Sequence, residues 1–167
     1  MADTLTLAQR RRCMAAIRGK DTKPELTVRS IAHRLGFRFR LHAADLAGKP
    51  DLVFRSRRAV VFVHGCYWHS HTCKRGRSTP ATNVAFWKSK RLRTRERDRA
   101  VIARLRRTGW RVLVIWECQL TRGRLPGLTE KLLRHLQGDG PLPRPAGSNT
   151  ADRPVRTRSR RSRRASP

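Results

Sequence analysis

Two short, uninterrupted apolar runs constrain the fold of this chain more than any other feature. They occupy residues 59–63 and 112–116, and each has the length of a strand that is buried on both faces. Helical patterns precede, separate and follow these runs, which predicts a single α/β domain with a mixed central sheet flanked by helices. Neither run approaches the ~18 residues of a membrane-spanning helix, so no membrane-spanning segment is expected.

Turn residues and periodicity predict the other elements. Pro24 begins a helix that Gly36 ends, and residues 83–108 form a long Arg-rich helix that Gly109 closes. Alternation of apolar and basic residues predicts a half-buried strand over residues 37–42. The remaining predicted elements are a strand at Leu52–Phe54, a strand at 58–63, an irregular loop at 64–80, a strand at 110–116 and a closing helix at 128–136.

Basic charge dominates the chain and indicates a polyanionic partner. With 40 Lys and Arg against 11 Asp and Glu, the formal net charge is +29, which favours nucleic acid; an anionic membrane surface has only the charge to recommend it. Residues 138–167 carry +6 of this charge and lack apolar residues to bury, which predicts a disordered Arg-rich tail. Residues 1–137 are then the folded domain, with residues 1–20 as a basic N-terminal arm.

The cysteines point to metal binding rather than to disulfides. The N-terminal residues have no signal-peptide apolar stretch, so a cytoplasmic location is expected, where disulfides are rare. Residues 64–73 hold three of the six histidines and two of the four cysteines. Separate buried thiols and an exposed histidine remain the alternative to a tetrahedral Zn²⁺ site. The candidate ligands are Cys66, His71, Cys73 and Cys118.

A second group of residues has chemistry suited to phosphodiester hydrolysis. Asp51 opens one predicted strand, His64 and His69 follow the adjoining strand, and Glu25 lies on the first helix. A carboxylate and a backbone carbonyl can hold Mg²⁺, while a histidine takes the proton of the attacking water. The alternatives are that Asp51 caps the turn at residues 48–50 and that Glu25 only interacts favourably with the helix dipole.

Two aromatic pairs, Tyr67-Trp68 and Phe86-Trp87, lie among basic residues. Exposed aromatic rings can stack on bases or wedge between them. Trp68 is the better wedge candidate because a polar loop offers little core, whereas Phe86 is expected to pack in the core. Met14 on the basic arm is either another apolar wedge or a packing residue. The long helix also carries cations that are expected to follow DNA phosphates, namely Lys88, Lys90, Arg91, Arg93, Arg95, Arg97 and Arg99.

Together these residues resemble the very short patch repair endonucleases, the Vsr family of DNA mismatch endonucleases. The resemblance runs from about residue 11 to Cys118, and more loosely to about residue 136. An ordered combination of this length is much more specific than any one of its pieces. The matching pieces are MAAI at 14–17, Thr22-x-x-Glu25, GKPD at 48–51, VVFVHGCYWH at 60–69, His71-x-Cys73, FW at 86–87, RD at 97–98, GWRV at 109–112 and WEC at 116–118.

The resemblance implies a restriction-endonuclease-like fold with a structural zinc site, and a Mg²⁺-dependent endodeoxyribonuclease activity. Such an enzyme nicks one strand 5′ to the thymine of a T:G mispair that arises from 5-methylcytosine deamination, and so initiates very short patch repair. Mg²⁺ would bind Asp51 and the backbone carbonyl of Val63, and His69 would be the general base, with His64 beside it and Glu25 in support. The implied zinc ligands are Cys66, His71, Cys73 and Cys118.

The resemblance also implies contacts with mismatched double-stranded DNA. Tyr67, Trp68 and Trp87 would intercalate beside the mispair, Met14 would enter from the other groove, and Lys90 would lie near the mispaired bases. A monomer is expected in the bacterial cytosol, associated with the nucleoid and linked to a cytosine-5 DNA methyltransferase and to mismatch-repair proteins. The alternatives are a restriction-type or other-lesion nuclease of the same fold, and a non-catalytic zinc-stabilised DNA-binding module.

Three residues depart from the family's pattern. Val63 stands where some members have Thr, so the backbone carbonyl is kept and the hydroxyl is lost. Tyr67 replaces Phe, which keeps a flat ring and adds a polar tip. Thr94 stands where a member has Asn near the mispaired bases, which changes the chemistry available for recognising them.

Overall fold

The computed structural model describes residues 19–138, together with residues 6, 8, 9, 12 and 15. The predictions for Met14 and for the Arg-rich tail concern residues outside this set. Among the described helices, none combines the length and the hydropathy needed to cross a bilayer.

The two apolar runs form adjacent strands of a three-stranded mixed sheet. Its order is β1 (Leu52–Phe54), β2 (Ala59–His64) and β3 (Arg111–Trp116). β1 pairs antiparallel with β2, and β2 pairs parallel with β3. Both β2 and β3 are rich in Val and Ile, whose branched side chains pack well on a pleated surface. The predicted mixed sheet is confirmed.

Within residues 19–138, four α-helices flank this sheet. Thr22 caps the first helix by accepting the N–H of Glu25, and Pro24 lies in its first turn. The last helix begins three residues earlier than predicted and buries Leu128, Leu132 and Leu136, whose spacing of four places them on one face. The helices are α1 (Lys23–Arg34), α2 (Lys74–Arg77), α3 (Val84–Arg107) and α4 (Leu125–Gln137).

The sheet separates two hydrophobic clusters because alternate side chains of each strand point to opposite faces. On one face, residues of β1, β2 and β3 pack with α1 and α4 around Phe54, Ile31 and Leu132. On the other face, Val60 and Phe62 of β2 pack with Leu105 of α3. The second cluster fixes α3 against the sheet, and α3 carries much of the site described below.

The strand predicted over residues 37–42 is wrong. In the described chain this segment forms one isolated bridge, in which Arg40 and Val53 exchange hydrogen bonds of 2.9 and 2.8 Å. The alternation is nevertheless real, because Phe37 and Phe39 both meet Phe54 edge-on, with ring centroids 6.3 and 5.7 Å apart. The pairing with β1 is limited to Arg40. The chain then turns at His42, which has a positive φ of 46°.

Candidate active site

A cavity of about 870 Å³ opens beside the end of β2 and brings the predicted catalytic residues together. β1 runs antiparallel to β2, so Asp51, just before β1, lies next to the end of β2. α1 contributes to the cavity from one side and α3 from the other. The predicted residues that line it are Glu25, Asp51, Val63, His64, His69 and Trp68.

Asp51 is held by the backbone of β2, since its Oδ2 accepts the N–H of Val63 at 2.7 Å. Burial raises the pKa of Asp51 above its usual range, the Val63 N–H opposes this rise, and the nearby charge of Glu25 adds to it. A carboxylate whose ionised form is disfavoured in this way gains from a cation beside it. The carboxylate of Asp51 and a backbone carbonyl such as that of Val63 are both oxygen donors, the type of ligand that a hard ion such as Mg²⁺ prefers.

Glu25 is buried and both of its carboxylate oxygens are engaged. Oε1 accepts the Thr22 hydroxyl at 2.8 Å, and Oε2 accepts the N–H of Asp21 and a guanidinium N–H of Arg29, both at 3.0 Å. Arg29 also pairs with Asp21 and lies 3.3 Å from His42. Glu25 is therefore a fixed negative charge at the start of α1, which acts on Asp51 across the cavity.

His69 is oriented by a carboxylate and by a second imidazole. Its Nδ1 lies 2.5 Å from Oδ2 of Asp98, and its ring stacks on that of His64 with centroids 3.8 Å apart and an angle of 8°. Burial lowers the pKa of His64 to about 4, and the charge of His69 adds to this effect. Burial alone would raise the pKa of Asp98, but the hydrogen bond and charge of His69 outweigh it and lower the pKa.

Asp98 is the site residue that the sequence analysis missed as a functional group. It appears there only as part of the RD motif at residues 97–98. A usable signal was its helical spacing from Val101 and Leu105, which face the sheet. An acidic residue three and seven positions before core residues is expected to point inward, and Asp98 does so, towards His69.

The four predicted zinc ligands also converge. Each offers one ligand atom, and these atoms lie within 4.8 Å of one another. The N–H of Cys118 donates to Sγ of Cys66 at 3.3 Å, and Sγ of Cys118 lies 3.5 Å from Nδ1 of His71. Burial raises the pKa of Cys66 to about 12, whereas the hydrogen bond with His71 lowers that of Cys73 to about 6. Three sulfur ligands and an imidazole fit a tetrahedral Zn²⁺.

The sheet topology explains why distant cysteines meet. β2 and β3 are parallel and His64 pairs with Trp116, so Cys66 and Cys118 each follow their strand by two residues at the same edge. The loop predicted at residues 64–80 is less irregular than expected, because it contains α2. A Cβ at Gly76 of α2 would overlap the carbonyl oxygen of His71, so glycine allows the close approach that closes the ligand group.

The ring of Trp116 lies between the Cys/His group and the predicted catalytic histidines. Its ring stacks on His71 with centroids 4.4 Å apart, and His64 meets it edge-on at 5.3 Å. Trp116 ends β3, and Cys118 follows two residues later. The Trp116 ring therefore contacts both a member of the ligand group and His64.

The three aromatic residues predicted to intercalate form one cluster beside the cavity. The ring centroids of Tyr67 and Trp68 are 5.1 Å apart, and each lies 6.0 Å from that of Trp87. All three rings are half-buried. The ammonium of Lys90 lies 5.2 Å from the Trp87 centroid. Flat, partly exposed rings next to a cation are typical of protein surfaces that bind nucleic acid.

Two expectations about α3 are wrong. Phe86, expected in the core, is 54% exposed. Arg91, expected to follow phosphates, turns inward: it donates to the Ser70 hydroxyl and to the Ser78 carbonyl, both at 2.9 Å, and to the Gly76 carbonyl. Its guanidinium also lies 5.3 Å from the ring of Tyr67. Arg91 thus ties the loop after β2 to α3.

Comparison with known proteins identifies relatives of this chain. The family model described as DNA mismatch endonuclease Vsr matches residues 2–75. The chain is 48% identical over 121 residues to the type II nicking enzyme V.XorIIP of Xanthomonas oryzae pv. oryzae, covering 72% of this chain and 88% of that protein. It is 43% identical over 144 residues to the DNA mismatch endonuclease Vsr of Escherichia coli, covering 84% and 91%.

Among solved structures, the catalytic domain of the homing endonuclease I-Bth0305I is similar, with a TM-score of 0.47 and 17% identity, over 69% of this chain and 94% of that chain. The level and extent of identity to the relatives from Xanthomonas and Escherichia show that this chain belongs to the Vsr family of DNA endonucleases.

Proposed function

We propose that this protein is a Mg²⁺-dependent endonuclease that nicks duplex DNA 5′ to the thymine of a T:G mispair left by deamination of 5-methylcytosine. The observation that carries this proposal is the meeting of Asp51, His69 and Asp98 in one cavity, beside the half-buried Tyr67 and Trp68. The name of the relative from Escherichia coli, a mismatch endonuclease, supports the choice of substrate.

The residues of the cavity divide the work of hydrolysis. Mg²⁺, when bound by Asp51 and the carbonyl of Val63, supplies positive charge that offsets the charge of the phosphate. Because Asp98 holds Nδ1 of His69, Nε2 is the nitrogen left to take the proton of the attacking water. Asp98 then stabilises the imidazolium, and the stacked ring of His64 limits its rotation.

Recognition of the mispair falls to the aromatic cluster and its cations. Tyr67, Trp68 and Trp87 enter the stack next to the mispair, where a base is easiest to displace because its pairing is already weakened. Lys90, which is exposed next to Trp87, contacts the bases or their phosphates. Met14 enters from the opposite groove.

Zn²⁺ in the group of Cys66, His71, Cys73 and Cys118 stabilises the fold rather than taking part in catalysis. The ligands come from the loop after β2 and from the end of β3, and the same loop carries Tyr67, Trp68 and His69. Cross-linking the loop to the sheet edge at low entropic cost holds these side chains in place, which packing of a short polar loop cannot do.

The proposal extends to the organisation of the whole chain. Residues 1–137 form a restriction-endonuclease-like domain that acts as a cytoplasmic, nucleoid-associated monomer, and residues 138–167 form an Arg-rich tether that strengthens salt-dependent DNA binding. The activity would serve DNA in which a cytosine-5 methyltransferase has created deamination sites, and would hand its nick to repair proteins.

A second candidate is a Vsr-like nicking enzyme with a different mismatch or flanking-sequence preference. It is favoured by one observation: the relative that is 48% identical bears the name of a type II nicking enzyme. A non-catalytic DNA-binding module is the third alternative. The unfavourable ionisation of Asp51 and the His69–Asp98 pair argue against it, since binding alone needs neither.

A nicking assay on matched duplexes tests the proposal. Duplexes with T:G, other mismatches or C:G at one position, in several flanking sequences, are incubated with Mg²⁺ and resolved on a denaturing gel. We expect a nick 5′ to the mispaired thymine, lost in Asp51→Ala and His69→Ala but kept in His33→Ala, whose side chain is exposed on α1. Equal cutting of C:G duplexes would contradict the substrate, and wild-type rates in either site variant would contradict the mechanism.

A further inference from the structure

Phe86 extends the aromatic cluster onto the exposed surface of α3. The rings of Trp68, Tyr67, Trp87 and Phe86, which we call the aromatic row, follow one another without a gap. The last step, from Trp87 to Phe86, has centroids 5.4 Å apart with the rings nearly perpendicular. Phe86 is 54% exposed, whereas the other three rings are half-buried. The row therefore ends in a ring that is open to solvent.

The fold does not require this phenylalanine. Phe86 belongs to neither hydrophobic cluster of the described residues, and its described ring contacts are with Trp87 and Lys90. An exposed benzyl group leaves apolar area in water, and that area is available to be buried when a partner binds. Its position next to Trp87, rather than elsewhere on the surface, favours the partner that Trp87 itself contacts.

Lys90 indicates the chemistry of that partner. Its ammonium lies 5.8 Å from the centroid of Phe86 and 5.2 Å from that of Trp87, so one cation serves both rings. Lys88, two residues before Lys90 on α3, is also exposed. A surface that alternates flat apolar rings with cations fits a chain that alternates flat bases with phosphates, and fits an apolar protein surface poorly.

We propose that Phe86 stacks on a nucleobase that flanks the mispair, as a fourth ring of the DNA-contacting surface. The proposal rests on the proposed function, because it takes duplex DNA as the partner of Trp87. Phe86 then sets how far the duplex is unstacked along one strand. Because Phe86 and Trp87 are neighbours on a helix, about 100° apart around its axis, the two rings contact different bases.

The test compares variants that separate a flat ring from apolar bulk. Phe86→Leu keeps an apolar side chain and removes the ring, and Phe86→Trp restores a ring. Leu92→Ala is the matched control, because Leu92 lies on the same helix and is also 54% exposed. Binding to a mismatched duplex is measured by fluorescence anisotropy, and 2-aminopurine placed at successive flanking positions reports which base is unstacked.

We expect Phe86→Leu to raise the Kd roughly fivefold or more, the effect of one stacked base. The Kd of Phe86→Trp should lie within twofold of the wild-type Kd. The Kd of the control, Leu92→Ala, should equal the wild-type Kd. One 2-aminopurine position should lose its fluorescence change in Phe86→Leu and regain it in Phe86→Trp. The melting temperature should be the same in all variants; if Phe86→Leu is destabilised, the comparison of Phe86→Trp with wild type decides.

The inference is overturned if Phe86→Leu binds like wild type, or if its affinity falls without a change at any flanking base. The latter result would assign Phe86 to a contact with a protein surface or with another segment of this chain. The wild-type substrate preference is scored separately. If wild type does not prefer T:G, the proposed function fails, and Phe86 is still tested on whichever duplex the wild-type enzyme nicks.

Discussion

The imidazole rings of His64 and His69 lie face to face, with centroids 3.8 Å apart and planes 8° from parallel. Two positive charges at that distance would repel strongly, so only one ring can hold a proton. His64 is buried and its pKa is lowered to about 4, whereas Asp98 pairs with His69. In the proposed mechanism the proton acceptor is therefore His69, with His64 packed beside it.

Asp98→Asn should lower kcat by about 10²–10⁴-fold, the range for loss of general-base catalysis. The amide cannot stabilise an imidazolium, and its NH₂ group can donate to Nδ1 of His69, which leaves the ring proton on Nε2, where the water's proton would have to go. DNA binding should change little, so that KM stays close to wild type. Single-turnover nicking rates measure the effect. Glu96→Gln is the control, since Glu96 is the exposed acidic neighbour on α3; equal rates in both variants would exclude the role of Asp98.

Asp51→Asn should abolish nicking and raise the melting temperature in the absence of Mg²⁺. Because the pKa of Asp51 is raised in the folded state, its ionised form destabilises the fold at neutral pH, and this effect disappears as the pH falls through the folded pKa. The asparagine oxygen can still accept the N–H of Val63. Each kcal/mol gained corresponds to about 2–4 °C.

Thermal unfolding at pH 7 measures this shift, with Asp45→Asn as control. Asp45 is exposed and its hydrogen bond with Arg55 lowers its pKa, so the opposite sign or no change is expected there. A lower melting temperature for Asp51→Asn would contradict the electrostatic description of the cavity.

Removal of zinc should unfold the loop after β2 and abolish nicking. We expect one equivalent of zinc in the purified protein by mass spectrometry, and a fall in melting temperature of several degrees or more after chelation. Cys118→Ser should reproduce this fall. Cys13→Ser should not, because Cys13 is not one of the four proposed ligands. A structural zinc would be ruled out if the protein is purified without metal and its melting temperature is the same before and after chelation.

Arg91→Lys should destabilise the fold although the charge is kept. An ammonium cannot bridge the Ser70 hydroxyl and the carbonyls of Gly76 and Ser78 together. Loss of hydrogen bonds to a charged group costs about 1.5–3 kcal/mol each. The melting temperature should fall, while the salt dependence of DNA binding stays the same. Arg93→Lys, at an exposed position on the same helix, should change neither the melting temperature nor the salt dependence. If Arg91→Lys melts at the same temperature as Arg93→Lys, the proposed role of Arg91 in holding the loop after β2 is wrong.

Local sequence was sufficient where one physical effect dominates. Short continuous runs rich in Val favour buried strands, and residue types such as Cys and His in a polar loop indicate metal binding whatever the loop's path. It was insufficient where two effects compete. Phe37 and Phe39 alternate like a strand and do face the core, but a single bridge at Arg40 pairs them with the sheet. Phe86 and Arg91 were misjudged because their exposure depends on the rotation of α3.

The sequence by itself determined the composition of the site: a carboxylate before one strand, histidines in and after the next, four candidate metal ligands and an aromatic set. Only the tertiary structure decided which of them act together. The antiparallel β1 puts Asp51 beside Val63, the parallel β3 brings Cys118 to Cys66, and the packing of α3 delivers Asp98 to His69. These contacts join residues far apart in the chain, and their distances follow from sheet register and helix rotation, which no local pattern encodes.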